Sequence, residues 1–216
     1  MSEITYKYIR DYLMAIEPDD DIIIRTIRKD ALNNNVPIIK SEVKNLLKWI
    51  LATKKPSKVL EIGTAVAYSS IIMSDFIDTG GCITTIERSE DMIKKAKENI
   101  KKAGKEDVIT LLEGDASDIL SSIDDTFDVI FMDAAKGQYL TFLPECLRLL
   151  KKGGILICDN VLQNGTVAKS RFSVPRRQRT IHNRMREFLW ELNHNKNFQT
   201  SILPIADGVT LSYKKY

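Results

Sequence analysis

At 216 residues, 44% hydrophobic and 28% charged, the chain has ordinary globular composition and enough length to bury a core without disulfides or a structural metal. Its net charge of +3 is too small to imply a nucleic-acid partner by itself, and its longest apolar runs, at residues 129–132 and 155–158, are far too short to span a bilayer. Residues 1–10 mix charged with apolar side chains and carry no signal-peptide apolar stretch. The three cysteines, Cys82, Cys146 and Cys158, are odd in number, lack C-x-x-C spacing and lie in apolar segments. They read as small buried hydrophobes of a cytoplasmic protein, which leaves the sequon at Asn164 without meaning.

In chain order, Ile4, Tyr8, Ile9, Tyr12, Leu13 and Ile16 share one helical face, and Pro18 stops the pattern. A second helix is predicted over residues 19–32, ended by three asparagines and Pro37. Ser41 is placed to cap a third helix that runs through Leu51. From Lys58 short β-branched runs alternate with helical segments. Strands are predicted at residues 58–62, 82–86, 108–113, 127–132 and 154–158. Helices fall near 68–76, 90–103, 115–122 and 139–150. Strands that are continuously apolar and separated by helices indicate a parallel sheet covered on both faces. Residues 198–203 and 209–213 are joined by a connection short enough for an antiparallel hairpin. The expectation is a single domain over residues 1–216, α/β and Rossmann-like, doubly wound, with helices of residues 1–52 packing on it.

In an open α/β sheet, ligands bind outside the carboxyl ends of the strands. The first strand ends in Glu61-Ile62-Gly63-Thr64-Ala65-Val66-Ala67-Tyr68-Ser69. Small residues at 63, 65 and 67 let a ligand approach the backbone, and they equally suit a tight turn that packs a helix on the sheet. Glu87, 24 residues after Gly63, can accept hydrogen bonds from the ribose hydroxyls of an adenosine ligand. A third strand ends in Glu113-Gly114-Asp115-Ala116. There Asp115 can accept from an adenine amino group and Ala116 can donate its backbone N–H. Asp115 also suits a helix N-cap. Neither G-x-G-x-x-G nor G-x-x-x-x-G-K-[ST] is present, which disfavours a dinucleotide, and with it a dehydrogenase, and a nucleoside triphosphate. A sulfonium cofactor carries no phosphates and needs no such loop. Residues 60–64, Glu87 and residues 114–116 together resemble the nucleoside site of class I methyltransferases, with S-adenosylmethionine as the implied cofactor. Those enzymes usually have glycine where this chain has Ala67.

The fourth strand runs into Asp133-Ala134-Ala135-Lys136, and the fifth into Asp159-Asn160. Adjacent strands would bring Asp133, Asp159 and Asn160 to one rim. Two carboxylates and an amide oxygen are hard donors that suit Mg2+ or Mn2+ and leave positions for a substrate with two vicinal oxygens. Strand-end Asp and Asp-Asn turns are also common loop chemistry. Lys136 is the candidate general base, or a lysine that orients the substrate. His182 and His194, the two histidines, fall in a helical stretch, and no nucleophile motif is present.

Asp133-Ala134-Ala135-Lys136 followed by Asp159-Asn160 resembles the metal-dependent O-methyltransferases of the catechol and caffeoyl-CoA type. The resemblance implies metal ligation by Asp133, Asp159 and Asn160, and Lys136 as base. It implies cofactor contacts from Ile38, within residues 36–40, and from Glu61, Gly63, Ser69, Glu87, Asp115, Ala116 and Asp133. It also implies a seven-stranded sheet with a terminal antiparallel hairpin, and a homodimer. Beyond Asn160, Lys169, Arg171, Arg176, Arg177, Arg179, Arg184 and Arg186 occur with no acid until Glu187. Such runs usually form a solvated helix face, but arginine forks also bind phosphates well. Residues 174–181 resemble the bacterial branch that converts 5-hydroxyuridine to 5-methoxyuridine at the tRNA wobble position. That implies a tRNA anticodon loop held by Arg176, Arg177 and Arg179. A catechol-type small molecule is the alternative substrate, and a non-catalytic RNA-binding scaffold is disfavoured by the intact Asp133, Lys136, Asp159 and Asn160.

Overall fold

The computed structural model describes residues 4–216, which divide into two compact units. A first helix, α1 (Lys7–Ala15), is grouped with the C-terminal unit and has no buried residue. Its apolar face is present as the periodicity predicts, yet Tyr8 and Tyr12 are 71% and 65% exposed.

The unit of residues 16–123 starts with α2 (Ile22–Asn33), capped by the Asp21 side chain on Ile23 N–H, and α3 (Ser41–Lys54). Ser41 is not the cap of α3: that position is Lys40, which makes no side-chain capping bond, and Ser41 is the first helical residue. What fixes α3 instead is Lys44, buried and ion-paired to Glu17 and Asp20, with Lys48 also on Asp20. There follow β1 (Lys58–Ile62), α4 (Tyr68–Ser74), β2 (Cys82–Glu87), α5 (Glu90–Lys102), β3 (Ile109–Glu113) and α6 (Ala116–Ser122). The strands pair in parallel, β1 with β2 and β2 with β3. The register sets Ile62 opposite Ile86 and Glu87 opposite Glu113, so the three strand ends lie level. Glu90 and Asp91 open α5 and Lys101 and Lys102 close it, each sign favourable to its end of the helix dipole. Cys82, expected to be buried, is only partly so, because it is the first residue of its strand; Cys146 and Cys158 are buried, and all three are free thiols.

The unit of residues 124–216 holds β4 (Phe127–Met132), α7 (Tyr139–Leu149), β5 (Leu150–Cys158), α8 (Arg179–His194), β6 (Phe198–Leu203) and β7 (Val209–Lys214). β4 and β5 are parallel, while β5–β7 and β7–β6 are antiparallel. β5 begins at Leu150 rather than at Gly154, because Leu150 already pairs with Phe127; the register then shifts, and pairing resumes at Val129 and Ile155. Gly208 stands before β7 at φ +88, and a Cβ there would sit 2.4 Å from Leu162. That close approach lets Val161 and Leu162 donate to the carbonyls of Gly208 and Asp207 (2.9 and 2.8 Å), tying the segment after Asn160 to the hairpin loop. The strand order is β3-β2-β1-β4-β5-β7-β6: seven strands, mostly parallel, with an antiparallel C-terminal pair, as the sequence predicts. Among the described residues no helix is long and apolar enough to cross a membrane.

Candidate active site

The turn after β1 is built on positive φ values, +105 at Gly63, +46 at Ala65 and +63 at Ala67, the last being the N-cap of α4. Ala67 thus takes the left-handed conformation that glycine would adopt with less strain. Three groups hold the turn. Gly63 and Thr64 N–H both donate to Ile86 O (3.1 Å), Asn99 Nδ2 donates to Val66 O (2.9 Å), and Ala65 N–H donates to Glu87 Oε2 (2.9 Å). The other Glu87 oxygen, Oε1, accepts from Arg88 and Ser89 N–H (2.9 Å each). Of the roughly four lone-pair sites of the carboxylate, three are engaged, and one on Oε2 has no donor among the described residues.

Glu61 is fully buried, and its carboxylate accepts from the hydroxyls of Ser69, Ser70 and Thr85, the last at 2.6 Å. Its immediate work is to brace the first turn of α4 against β2; Ser69 is likewise turned onto Glu61. Thr85 also bonds Thr64 (2.6 Å), so it ties the start of the turn to Glu61. Sequence reasoning missed Ser70 and Thr85, whose only signal was a hydroxyl within otherwise apolar segments. Asp115 caps α6, accepting from Ser117 N–H (2.9 Å), and pairs with Arg88 (3.1 Å). The Ser117 bond, followed by Arg88, holds its carboxyl below the usual range. Ala116 is the first residue of α6, and Ile38 lies between buried Val36 and Ile39 in the irregular segment before α3.

In the other unit, Met132 and Cys158 are register partners on adjacent parallel strands, so Asp133 and Asp159 leave the sheet side by side. Asp159 N–H donates to Met132 O (3.0 Å), and Asp159 Oδ1 accepts from Asn160 N–H (2.6 Å). Asn160 is at φ +61, a left-handed position that asparagine tolerates better than most residues. Lys136 Nζ lies 3.2 Å from Asp133 Oδ1. Asp159 is 1% exposed; burial, and then the negative charge of Asp133, push its carboxyl up to about 7. Among the described residues no three His, Cys, Asp or Glu side chains converge on a possible metal position. The candidate donors are instead two carboxylates and an amide. Two neighbouring carboxylates, one of them buried, fit a hard divalent cation.

Behind them sits a residue the sequence did not mark. The Tyr139 hydroxyl is buried within donating distance of both Met132 O (3.1 Å) and Asp159 O (3.0 Å), and its ring packs edge-on against Phe188 of α8. It clamps the ends of β4 and β5 together. Tyr139→Phe is expected to lower stability by about 1–1.5 kcal/mol in urea unfolding, the net worth of one buried hydrogen bond.

The basic segment belongs to this same unit. Arg176 and Arg177 are exposed on a single 3-10 turn, whereas Arg179 is partly buried and donates Nε to Val174 O (3.1 Å). Arg184 donates to Gly137 O (2.9 Å), which docks α8 on the Lys136 turn. His182 is buried and bonded to Lys169 O (3.1 Å), a structural role.

The O-methyltransferase family model matches residues 14–215, nearly the whole chain. The chain belongs to the O-methyltransferase family. It is a class I, S-adenosylmethionine-dependent member of the caffeoyl-CoA O-methyltransferase type. Tapetum-specific methyltransferase 1 of Arabidopsis thaliana is 30% identical over 216 residues, covering 94% of this chain and 91% of that protein. Caffeoyl-CoA O-methyltransferase of Stellaria longipes is 27% identical, covering 100% and 92%. The crystal structure of a Staphylococcus aureus protein provisionally assigned as a caffeoyl-CoA O-methyltransferase superposes with a TM-score of 0.89 at 31% identity, covering 96% of this chain and 100% of that one.

Proposed function

We propose that this O-methyltransferase is a divalent-metal enzyme that methylates the 5-hydroxyl of 5-hydroxyuridine at the tRNA wobble position, in the cytoplasm. The reading treats residues 1–216 as one catalytic domain, in keeping with a family match that runs through both units. Its main support is that the basic helix α8 is bonded through Arg184 to the turn carrying Lys136, with Arg176 and Arg177 exposed just before that helix. Guanidinium groups beside a candidate general base suit a substrate whose reactive hydroxyl is carried on a phosphate chain. The 5-hydroxyl and 4-oxo groups of the base are vicinal oxygens, the pattern a hard cation chelates, and an anticodon loop leaves its base edges accessible.

In this reading the methyl donor is S-adenosylmethionine. Glu87 receives a ribose hydroxyl on its remaining lone pair, Asp115 and Ala116 face the adenine, and the Gly63–Ala67 turn, Ile38, Ser69 and Asp133 complete the cofactor contacts, with Glu61 acting from behind through Ser69. Asp133, Asp159 and Asn160 would hold Mg2+ or Mn2+, whose charge would acidify the substrate hydroxyl and help to fix its orientation. Lys136 Nζ, parted from Asp133 and present as the neutral amine after giving a proton to solvent, would take the proton from the substrate oxygen. That oxygen then accepts the methyl carbon as the carbon–sulfur bond of the sulfonium breaks. Arg176 and Arg177 hold RNA phosphates, while Arg179 serves first to shape their loop. The open apolar face of α1 suits the contact of a homodimer.

The names of the relatives favour a second reading, a catechol on a small molecule. Caffeoyl-CoA also carries phosphates, so the same arginines would suit it. Mass spectrometry of tRNA nucleosides decides between them. A strain lacking this chain is expected to lose 5-methoxyuridine and accumulate 5-hydroxyuridine; unchanged 5-methoxyuridine sinks the tRNA reading.

Glu87 offers a separate check of the cofactor half. Glu87→Ala is expected to weaken S-adenosylmethionine binding by about 1.5–3 kcal/mol, as for loss of a charged acceptor. Calorimetry with unchanged affinity would remove Glu87 from the site.

A further inference from the structure

We propose that the ring of Phe172 is a stacking platform for an unpaired base of the RNA substrate; this rests on the tRNA reading above. Phe172 is 85% exposed, the most exposed large hydrophobic side chain among the described residues. A singly exposed apolar residue carries little by itself. Here the loop around it is anchored by other residues. Val174 is buried, Arg179 Nε donates to Val174 O (3.1 Å), His182 Nε2 is bonded to Lys169 O (3.1 Å), and Arg186 donates to Val167 O (3.2 Å). Within the loop, Ser170 Oγ accepts from Phe172 N–H (3.3 Å) and Ser173 Oγ donates to Ser170 O (2.7 Å), closing a 3-10 turn with the aromatic ring outside it. The turn therefore presents the ring to solvent from a backbone that does not depend on burying it.

Its neighbours give the partner its chemistry. Lys169, Arg171, Arg176 and Arg177 flank Phe172 and are all exposed, and no Asp or Glu occurs between Asn160 and Glu187. Cations that track a phosphate chain, with an aromatic face between them, are the recurring arrangement for single-stranded nucleic acid, because every base offers a π-face. The segment starts at Asn160, a candidate metal donor, so a strand held along it would lead toward the candidate catalytic residues of this unit.

The test measures binding of full-length wild type, Phe172→Ala and Phe172→Trp to an anticodon stem–loop oligonucleotide containing 5-hydroxyuridine, and to caffeoyl-CoA, by fluorescence anisotropy across a salt series. Phe172→Ala is expected to weaken RNA binding about 5- to 150-fold, the range for loss of one stacked base. Phe172→Trp is expected to retain the affinity. The salt slope should stay at the wild-type value, since no phosphate contact is lost. Unchanged S-adenosylmethionine affinity by calorimetry verifies the fold of each variant. Wild-type affinity for RNA in Phe172→Ala overturns the platform and leaves the tRNA reading standing. A loss confined to caffeoyl-CoA reassigns the ring to the adenine of coenzyme A and also overturns it. Absence of salt-dependent RNA binding by the wild type overturns both.

Discussion

Excess EDTA, and independently Asp159→Ala, is expected to abolish methyl transfer while S-adenosylmethionine binding persists. Added Mg2+ should restore activity to the chelated wild type and not to the variant. The reason lies in the separation of labour along the chain. Asp159 follows β5 and Asp133 follows β4, whereas Gly63 and Asp115 follow β1 and β3 and Glu87 ends β2. Full turnover in EDTA would sink the metal mechanism. The buried state of Asp159 adds a pH signature. Its carboxyl sits at about 7 through burial and the charge of Asp133, above the ordinary 3.8. An acid with a raised folded-state value holds its proton more tightly folded than unfolded. Stability without metal should therefore fall as pH rises from about 4 through about 7. A bound cation must displace that proton, so apparent Mg2+ affinity should fall roughly tenfold per pH unit below about 7 and level off above it. Thermal midpoints recorded against pH, with and without Mg2+, read both effects. Identical pH profiles in the two series would mean that Asp159 holds no metal.

Much of this site is legible without coordinates because strand ends are marked by a change in residue type. The apolar runs stop at Gly63, Glu87, Gly114, Asp133 and Asp159, and parallel pairing keeps neighbouring ends level. What the sequence does not reveal is which polar groups face inward. Glu61 reads as a ligand residue by position, yet its carboxylate is occupied by three hydroxyls, two of them unremarkable serines on the following helix. Tyr139 reads as the start of a helix, and its hydroxyl matters only because Met132 O and Asp159 O lie together across two strands. The missing Ser41 cap has the same origin. A buried ion pair at Lys44, made with residues more than twenty positions earlier, outweighs a local capping preference worth about 1 kcal/mol. Arg179 shows the limit for charge runs: composition groups it with Arg176 and Arg177, but its Nε is spent on a backbone carbonyl.

That difference among the arginines shapes the second large expected effect. Replacing Arg176 and Arg177 with alanine should weaken binding of hydroxyuridine-containing tRNA and flatten its salt dependence by about 0.7–0.9 in log–log slope for each phosphate contact removed. Replacing Arg179 should behave differently. Its loss frees the Val174 carbonyl and loosens the loop, so affinity falls with a smaller change in slope and the thermal midpoint drops with it. S-adenosylmethionine affinity should stay at the wild-type value in both variants, because Glu87, Asp115 and the Gly63–Ala67 turn are untouched. The informative quantity is the ratio of kcat/KM on tRNA to kcat/KM on a free catechol, which carries no phosphate. Under the tRNA reading that ratio collapses in the Arg176/Arg177 variant. If the two arginines form only a solvated surface, the ratio and the salt slope both stay at wild-type values, and the small-molecule enzyme becomes the better account. An equal fall on both substrates would assign the arginines to the local structure of the Lys136 turn, through the contact that Arg184 already makes with Gly137.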